Sequence, residues 1–319
     1  MEPEEPVNQF PRRKISLVVP FYNEEESVDF FSAELSKLLN SIREIDWEVV
    51  CVNDGSRDAT FDKLGALSQT DRRFFIVDLA RNFGKEAALT AGIDYATGDA
   101  VIPIDADLQD PPELIPQLIK EWNNGYDVVL ARRVDRQKDG FMKRNTAHWF
   151  YKVHNMISDV PIPEDVGDFR LMDRKVIEAL SRMPERRRFM KGLFSWVGFR
   201  TTTIDYVRHE RMAGKTKFSG WRLWNLALEG ITGFSTAPLR LWTYLGLITA
   251  TVAIAYAVWI VARTIIYGID LPGYASMITI VLFLGGINLI GIGVIGEYIG
   301  RIYMETKQRP IYIVRTVKR

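Results

Sequence analysis

The chain is poor in the residues that mark disulfide and zinc chemistry. Among 319 residues there is one cysteine, Cys51, inside the apolar run WEVVCVNDG, and three histidines, His148, His154 and His209. A single thiol builds no disulfide framework and fits a reducing compartment. It reads as a buried strand residue, and the histidines lack the spacing of a zinc site. A dominant charge sign is missing too: 41 Lys and Arg against 40 Asp and Glu leave +1, which argues against a dedicated nucleic-acid binder. No Gly-x-Gly-x-x-Gly follows the first strand-like run and there is no Walker A sequence. The phosphate cradles of dinucleotide enzymes and P-loop NTPases are therefore absent. The opening MEPEEPVNQFPRRK has no apolar core, so residues 1–13 read as a flexible tail and not as a signal peptide.

Two runs are as apolar as the rest is mixed. Leu241 to Ala262 and Ala275 to Gly296 contain no charged residue, and each matches the roughly 20 residues that span a bilayer core. The segment 239–300 is therefore expected to hold two transmembrane helices, at about 241–262 and 275–296. The loop between them, YGIDLPGYAS, has no Lys or Arg, and Arg263, four residues before it, can snorkel to the interface, whereas Arg240 precedes the first run and RIYMETKQRPIYIVRTVKR follows the second. The positive-inside rule puts both termini and the large N-terminal part in the cytoplasm, with 301–319 as a cytoplasmic tail. Before the spans, Trp221, Trp224, Leu228 and Ile231 share one helical face, so 218–238 reads as an amphipathic interfacial segment. Gly291, Gly293, Gly296 and Gly300 include a Gly-x-x-x-Gly pair suited to close helix contact, within the chain or between copies.

The soluble part, 14–217, alternates strand and helix signals. KISLVVP, WEVVCVND, RFFIVDL, DAVIPID and DVVLARR read as five strands. Val28, Phe31, Leu35, Leu38 and Ile42 mark one helical face between the first two. Such alternation implies βαβ units and a mostly parallel, Rossmann-like α/β sheet with helices on both faces. Ligands of these sheets sit beyond the carboxyl ends of the strands. There the chain places PFYNEEE, NDGSRD, ARNFGKE, DADLQD and ARRVDR, and they are expected to converge on one cleft.

Within DADLQD, Asp105 and Asp107 stand one residue apart at a strand end with Gln109 nearby. Hard oxygen ligands of this kind suit Mg²⁺ or Mn²⁺, and the pair is expected to bind metal. Asp110 directly precedes PPELI and is read as the cap of the next helix.

The ordered set VVPFYNEEES, VNDGSRDAT, DADLQDPPE, GDFRLMDR, RFMKGLFSWVGF and RMAGKTKF, followed by two spans, resembles the glycosyltransferase family 2 polyprenyl-phosphate glycosyltransferases. Those enzymes have a GT-A fold, and the bactoprenol glucosyltransferases and dolichol-phosphate mannose synthase are among them. The resemblance covers nearly the whole chain and implies roles residue by residue. Pro20, Tyr22, Asn23 and Glu24 match the segment holding the nucleotide, and Asp54 the aspartate that recognises base and ribose. Many relatives carry DDGS where this chain has Asn53. Asp105, Asp107 and Gln109 match the metal positions bridging the donor diphosphate. Arg133 matches a phosphate-binding arginine, with Arg132 as a possible substitute. Asp168 matches a catalytic acceptor-site aspartate, and Arg170 close by, Arg211 and Lys217 match basic residues holding donor or acceptor phosphates. The implied activity moves a hexose, first of all glucose from UDP-glucose, onto undecaprenyl phosphate, with a homotetramer as the assembly. GDP-mannose, UDP-GlcNAc or a UDP-aminoarabinose derivative are alternative donors. A processive polysaccharide synthase is a further alternative, but its Gln-x-x-Arg-Trp motif is absent.

Overall fold

The computed structural model describes residues 12–134, 163, 165–186, 188–207, 232, 235–268 and 273–319. Arg211, Lys217 and nearly all of the expected interfacial segment, including Trp221 and Trp224, lie outside these residues.

The five expected strands form as β1 (Lys14–Phe21), β2 (Asp46–Asn53), β3 (Phe74–Leu79), β4 (Ala100–Pro103) and β5 (Val128–Arg133). Between them run α1 (Glu25–Ser41), α2 (Thr60–Thr70), α3 (Lys85–Tyr95) and α4 (Ile115–Asn123), the last entered through a short 3₁₀ turn at Pro112–Leu114. The buried face of α1 is Val28, Phe31, Leu35 and Leu39, while Leu38 and Ile42 pack at its margin. Phe31 meets Phe21 of β1 edge-on, with ring centroids 5.6 Å apart, a geometry that adds to simple burial.

Three strands were not legible as such: β6 (Val166–Asp173), β7 (Thr201–Tyr206) and β8 (Val314–Lys318). The sheet order is β7-β5-β6-β4-β1-β2-β3-β8. β1 pairs in parallel with β2 and β4, β2 with β3, and β5 with β7. β6 is inserted antiparallel between β4 and β5, and β8 runs antiparallel along the outer edge of β3. The expectation of a simple βαβ succession therefore fails after β4, and the end of β5 lies one strand farther from β4 than that succession implies.

The sheet buries both faces. On one, Leu17, Val19, Val49, Cys51, Ile102 and Leu171 pack under α1, α2 and α4. On the other, Val18, Val50, Val77, Val101 and Met172 pack under α3 and two later helices, α5 (Arg174–Ser181) and α6 (Met190–Trp196). Cys51 is fully buried, as expected, and burial raises its thiol pKa.

Two long apolar helices follow, α7 (Ala237–Tyr267) and α8 (Tyr274–Thr306). Both are long and apolar enough to cross a membrane. At 1.5 Å per residue, their 31 and 33 residues are longer than a hydrocarbon core of about 30 Å. They approach where the Trp242 indole lies on Gly291, leaving no room for a side chain there; the Gly296 and Gly300 positions meet nothing within 4 Å.

The end of α8 docks on the globular part. The Glu305 carboxylate accepts the Arg186 backbone N–H at 3.1 Å, and the Arg186 guanidinium donates to the Arg309 carbonyl at 2.7 Å. The Tyr312 hydroxyl donates to Asp94 of α3 at 2.8 Å, and β8 then pairs with β3. The stretch 301–319, expected as a tail, thus contains a sheet strand.

Candidate active site

The loops after β1 and β2 are stitched together. Asn23, in the left-handed region at φ 52°, donates its N–H to Ser56 Oγ and accepts from the Arg57 N–H, at 3.0 and 2.9 Å. The Glu24 N–H donates to Thr60 Oγ1 at 3.0 Å. Asparagine tolerates this backbone better than most residues. Pro20 pairs in register with Val52, and the Tyr22 ring is 38% exposed at the mouth of this loop pair.

Asp54 links these loops to the one after β3. Its buried carboxylate accepts from the Phe83 N–H at 2.7 Å, the Gly84 N–H at 3.0 Å and Asn82 Nδ2 at 3.0 Å. Burial raises its pKa, opposed by those backbone bonds and by Arg81. Such a carboxylate sets the start of α3. Gly55 beside it has φ +63°, and a Cβ there would lie 2.5 Å from Asn82 N, so only glycine fits. Asn53 donates to Asp78 Oδ1 at 2.7 Å, with both residues almost fully buried. An amide here avoids two adjacent buried carboxylates.

Past β4, Asp105, Asp107 and Gln109 are partly exposed while Ala106, Leu108 and Asp110 are buried. The first three therefore face the cleft together. The Gln109 N–H donates to Asp107 Oδ1 at 3.2 Å. Asp110 does not cap the following turn, whose N-cap is Pro111 without a side-chain bond. It is buried and accepts the Tyr206 hydroxyl of β7, because the two prolines turn the chain inward before the helix begins.

β6 supplies the other half. Ala100 pairs with Asp173 and Val101 with Met172, and continuing that antiparallel register brings Asp168 opposite Asp105. Lys85, the first residue of α3, joins them. Its Nζ lies 2.7 Å from Asp105 Oδ1, 2.9 Å from Asp105 Oδ2 and 2.9 Å from Asp168 Oδ2. Burial works against the charge of Asp168, but Lys85, Lys191 and Arg170 outweigh it and hold the carboxyl well below its usual range. Partial desolvation opposes the ammonium of Lys85, which keeps half its side chain exposed, and Asp168 and Asp105 raise its pKa nonetheless. Glu86 is pushed up to about 7, first by burial and then by Asp168, although it accepts the Met190 N–H of α6.

Arg170 is almost fully buried. It lies 4.3 Å over the Phe194 ring and donates to the Gly167 carbonyl at 2.6 Å, and burial lowers its pKa to about 10. In this position it supports Asp168 electrostatically and does not face the cleft as a phosphate contact would. Arg132 is bound to Asp205 at 2.7 and 2.9 Å. Arg133, on the opposite side of β5, lies at the strand's carboxyl end.

Lys85, Glu86 and Lys191 were not singled out from sequence. A cation at the first position of a helix opposes the helix dipole. Lys85 stands there next to the cleft's acidic loop, and that conflict was the available signal.

Among the described residues no three Asp, Glu, His or Cys side chains form a metal cage. The site offers a two-carboxylate arm, which fits Mg²⁺ or Mn²⁺ bound partly through substrate phosphates.

Residues 16–181 match the glycosyl transferase family 2 profile, and residues 237–302 match the GtrB C-terminal hairpin. The chain is 57% identical over 306 residues to a prophage bactoprenol glucosyl transferase homolog of Escherichia coli (strain K12), across 96% of this chain and 100% of that protein. It is 55% identical over 305 residues to a bactoprenol glucosyl transferase of Shigella phage SfX, again across 96% and 100%. Among solved structures, the mannosyltransferase PcManGT from Pyrobaculum calidifontis in complex with GDP-Man and Mn²⁺ is similar at a TM-score of 0.47 and 19% identity, over 93% of this chain and 84% of that one. The chain belongs to glycosyl transferase family 2: it is a glycosyltransferase with a GT-A-like, mostly parallel sheet and a C-terminal hairpin of two apolar helices.

Proposed function

We propose that the protein transfers glucose from UDP-glucose to undecaprenyl phosphate at the cytoplasmic face of a bacterial inner membrane, giving a β-linked lipid phosphosugar for surface glycan modification. The observation that carries this reading is the convergence of Asp105, Asp168 and Lys85 at the end of β4, in a chain more than half identical along its length to proteins named bactoprenol glucosyl transferases. In this reading Pro20, Tyr22, Asn23 and Glu24 border the nucleotide. Asp54 shapes that pocket by fixing the loop from Asn82 to Gly84. Asp105, Asp107 and Gln109 would hold Mg²⁺ or Mn²⁺, which would neutralise the donor diphosphate and stabilise charge on the departing UDP. Arg133, Arg211 and Lys217 would meet phosphate oxygens.

The acceptor is a phosphate monoester, whose second pKa of about 6 leaves it largely ionised near neutrality. It needs little help from a base. An Asp168 carboxyl held far below its usual range is a poor proton acceptor, which supports a role in orienting Lys85 and Lys191 around the incoming phosphate. Attack on the face opposite UDP then inverts the sugar.

A hairpin whose second helix returns to the domain through Glu305 and β8 supports both ends lying on the catalytic side. The basic flanks favour the cytoplasm. The open Gly296 and Gly300 positions suit helix contacts in a homotetramer. Purified protein given labelled UDP-glucose and undecaprenyl phosphate should form lipid-linked glucose, lose activity with EDTA, and lose it as Asp107→Asn with the fold intact. Product from another nucleotide sugar and none from UDP-glucose would overturn the donor assignment.

A further inference from the structure

Lys85 places one ammonium against both oxygens of Asp105, the carboxylate assigned to the metal, while also reaching Asp168. The backbone beneath it is fixed, because Asp54 holds the N–H groups of Phe83 and Gly84 immediately before it. Its side chain is not fixed in the same way: it is 48% exposed and carries four rotatable methylenes. A divalent ion binds carboxylate oxygen at about 2.1 Å. On Asp105 it would lie close beside an ammonium that contacts both oxygens, and two cations so placed repel each other. Asp168 offers the displaced ammonium a place to stay, since its own contact with Nζ at 2.9 Å does not depend on Asp105.

We infer that Lys85 is a resident counter-cation that competes with the divalent metal for Asp105, and that metal entry shifts its ammonium onto Asp168. The inference rests on the reading of Asp105 as a metal ligand. It makes Lys85 a positioning residue with two states. Without metal it neutralises the acidic centre and keeps β4 and β6 together. With metal bound, its charge is turned toward Asp168, on the side assigned to the acceptor phosphate. Occupation of the metal site thereby prepares the acceptor side, and stray divalent ions meet a competitor when no donor is present.

The test is a Mn²⁺ titration of full-length protein in detergent without nucleotide, following the electron paramagnetic resonance signal of free Mn²⁺. Lys85→Met should bind Mn²⁺ at least about tenfold more tightly than the wild type, a change of about 1.4 kcal/mol by the affinity relation. Lys85→Arg, which keeps the positive charge, should stay within about threefold of the wild type. Equal or weaker Mn²⁺ binding by Lys85→Met, with an unchanged thermal midpoint, overturns the proposal. If Lys85→Met melts early, Lys85→Gln is measured instead against the same thresholds. Asp105→Asn should abolish the binding. If it binds Mn²⁺ like the wild type, the metal reading of Asp105 fails, which is a separate result from failure of the competition.

Discussion

Substituting Asn53 by aspartate should destabilise the protein in a strongly pH-dependent way. Asn53 and Asp78 are 2% and 1% exposed, and the amide nitrogen sits 2.7 Å from Asp78 Oδ1. Asn53→Asp would put two carboxyl groups at that distance. If both ionised, repulsion at an effective dielectric of 20 would cost about 6 kcal/mol. Taking up one shared proton near pH 7, against an ordinary aspartate value of about 3.9, costs about 4 kcal/mol. The cheaper route wins and retains one hydrogen bond, so about 4 kcal/mol is expected near neutrality. The same arithmetic leaves about 1.5 kcal/mol near pH 5. The sign follows from linkage: a carboxyl pKa raised in the folded state costs stability as pH climbs above the unfolded value. Arg315, whose Nε is 3.5 Å from Asp78 Oδ2, is 59% exposed and should offset little. Thermal unfolding of detergent-solubilised wild type and Asn53→Asp across this range would measure the difference. A gap that stays constant between pH 5 and 7 refutes the argument.

Three further outcomes follow from the site's geometry. Gly55→Ala would force a side chain into the left-handed region and against the backbone of Asn82. It should cost at least about 1–2 kcal/mol and raise the donor KM, read by thermal melting and initial rates. Arg132→Ala removes an exposed, solvent-screened pair with Asp205 and should leave transfer near wild type, whereas Arg133→Ala should weaken donor binding; equal effects would contradict the assignment. Glu86→Gln removes a half-buried acid whose pKa is raised to about 7. The wild type therefore loses stability relative to the variant as pH rises from about 4.5 through 7. The gap between their unfolding free energies should widen by up to about 3 kcal/mol between pH 5 and 8.

The legible part of the fold is the part governed by local pattern. β1 to β4 are short apolar runs, each ending in polar residues, and the helices between them bury faces at three- and four-residue spacing. β6 was hidden because VGDFRLMD carries Asp168 and Arg170 inside a strand. Those charges are tolerated through partners that include Lys85 on α3 and Phe194 on α6, both distant in sequence. β8 was hidden because VRTVK is an edge strand with basic residues, and its sequence gives no sign that it returns to β3 after two long apolar helices. In the site, Asp105, Asp107 and Asp168 could be named from motifs. That one lysine joins Asp105 to Asp168 could not, because the contact depends on the antiparallel insertion of β6.

The pairing of β8 with β3 also determines how the enzyme is mounted. A domain joined to a membrane by one tether can swivel about it and must search for the angle at which its cleft meets a lipid headgroup. This domain is held at two places, where the chain leaves through α7 and where it comes back through Glu305, Tyr312 and β8. With the hairpin in a bilayer, as proposed, two attachments would leave only rocking about the line between them, and the height and tilt of the cleft would become a property of chain length. Residues 307–313 would then act as a spacer whose length is part of the active-site geometry.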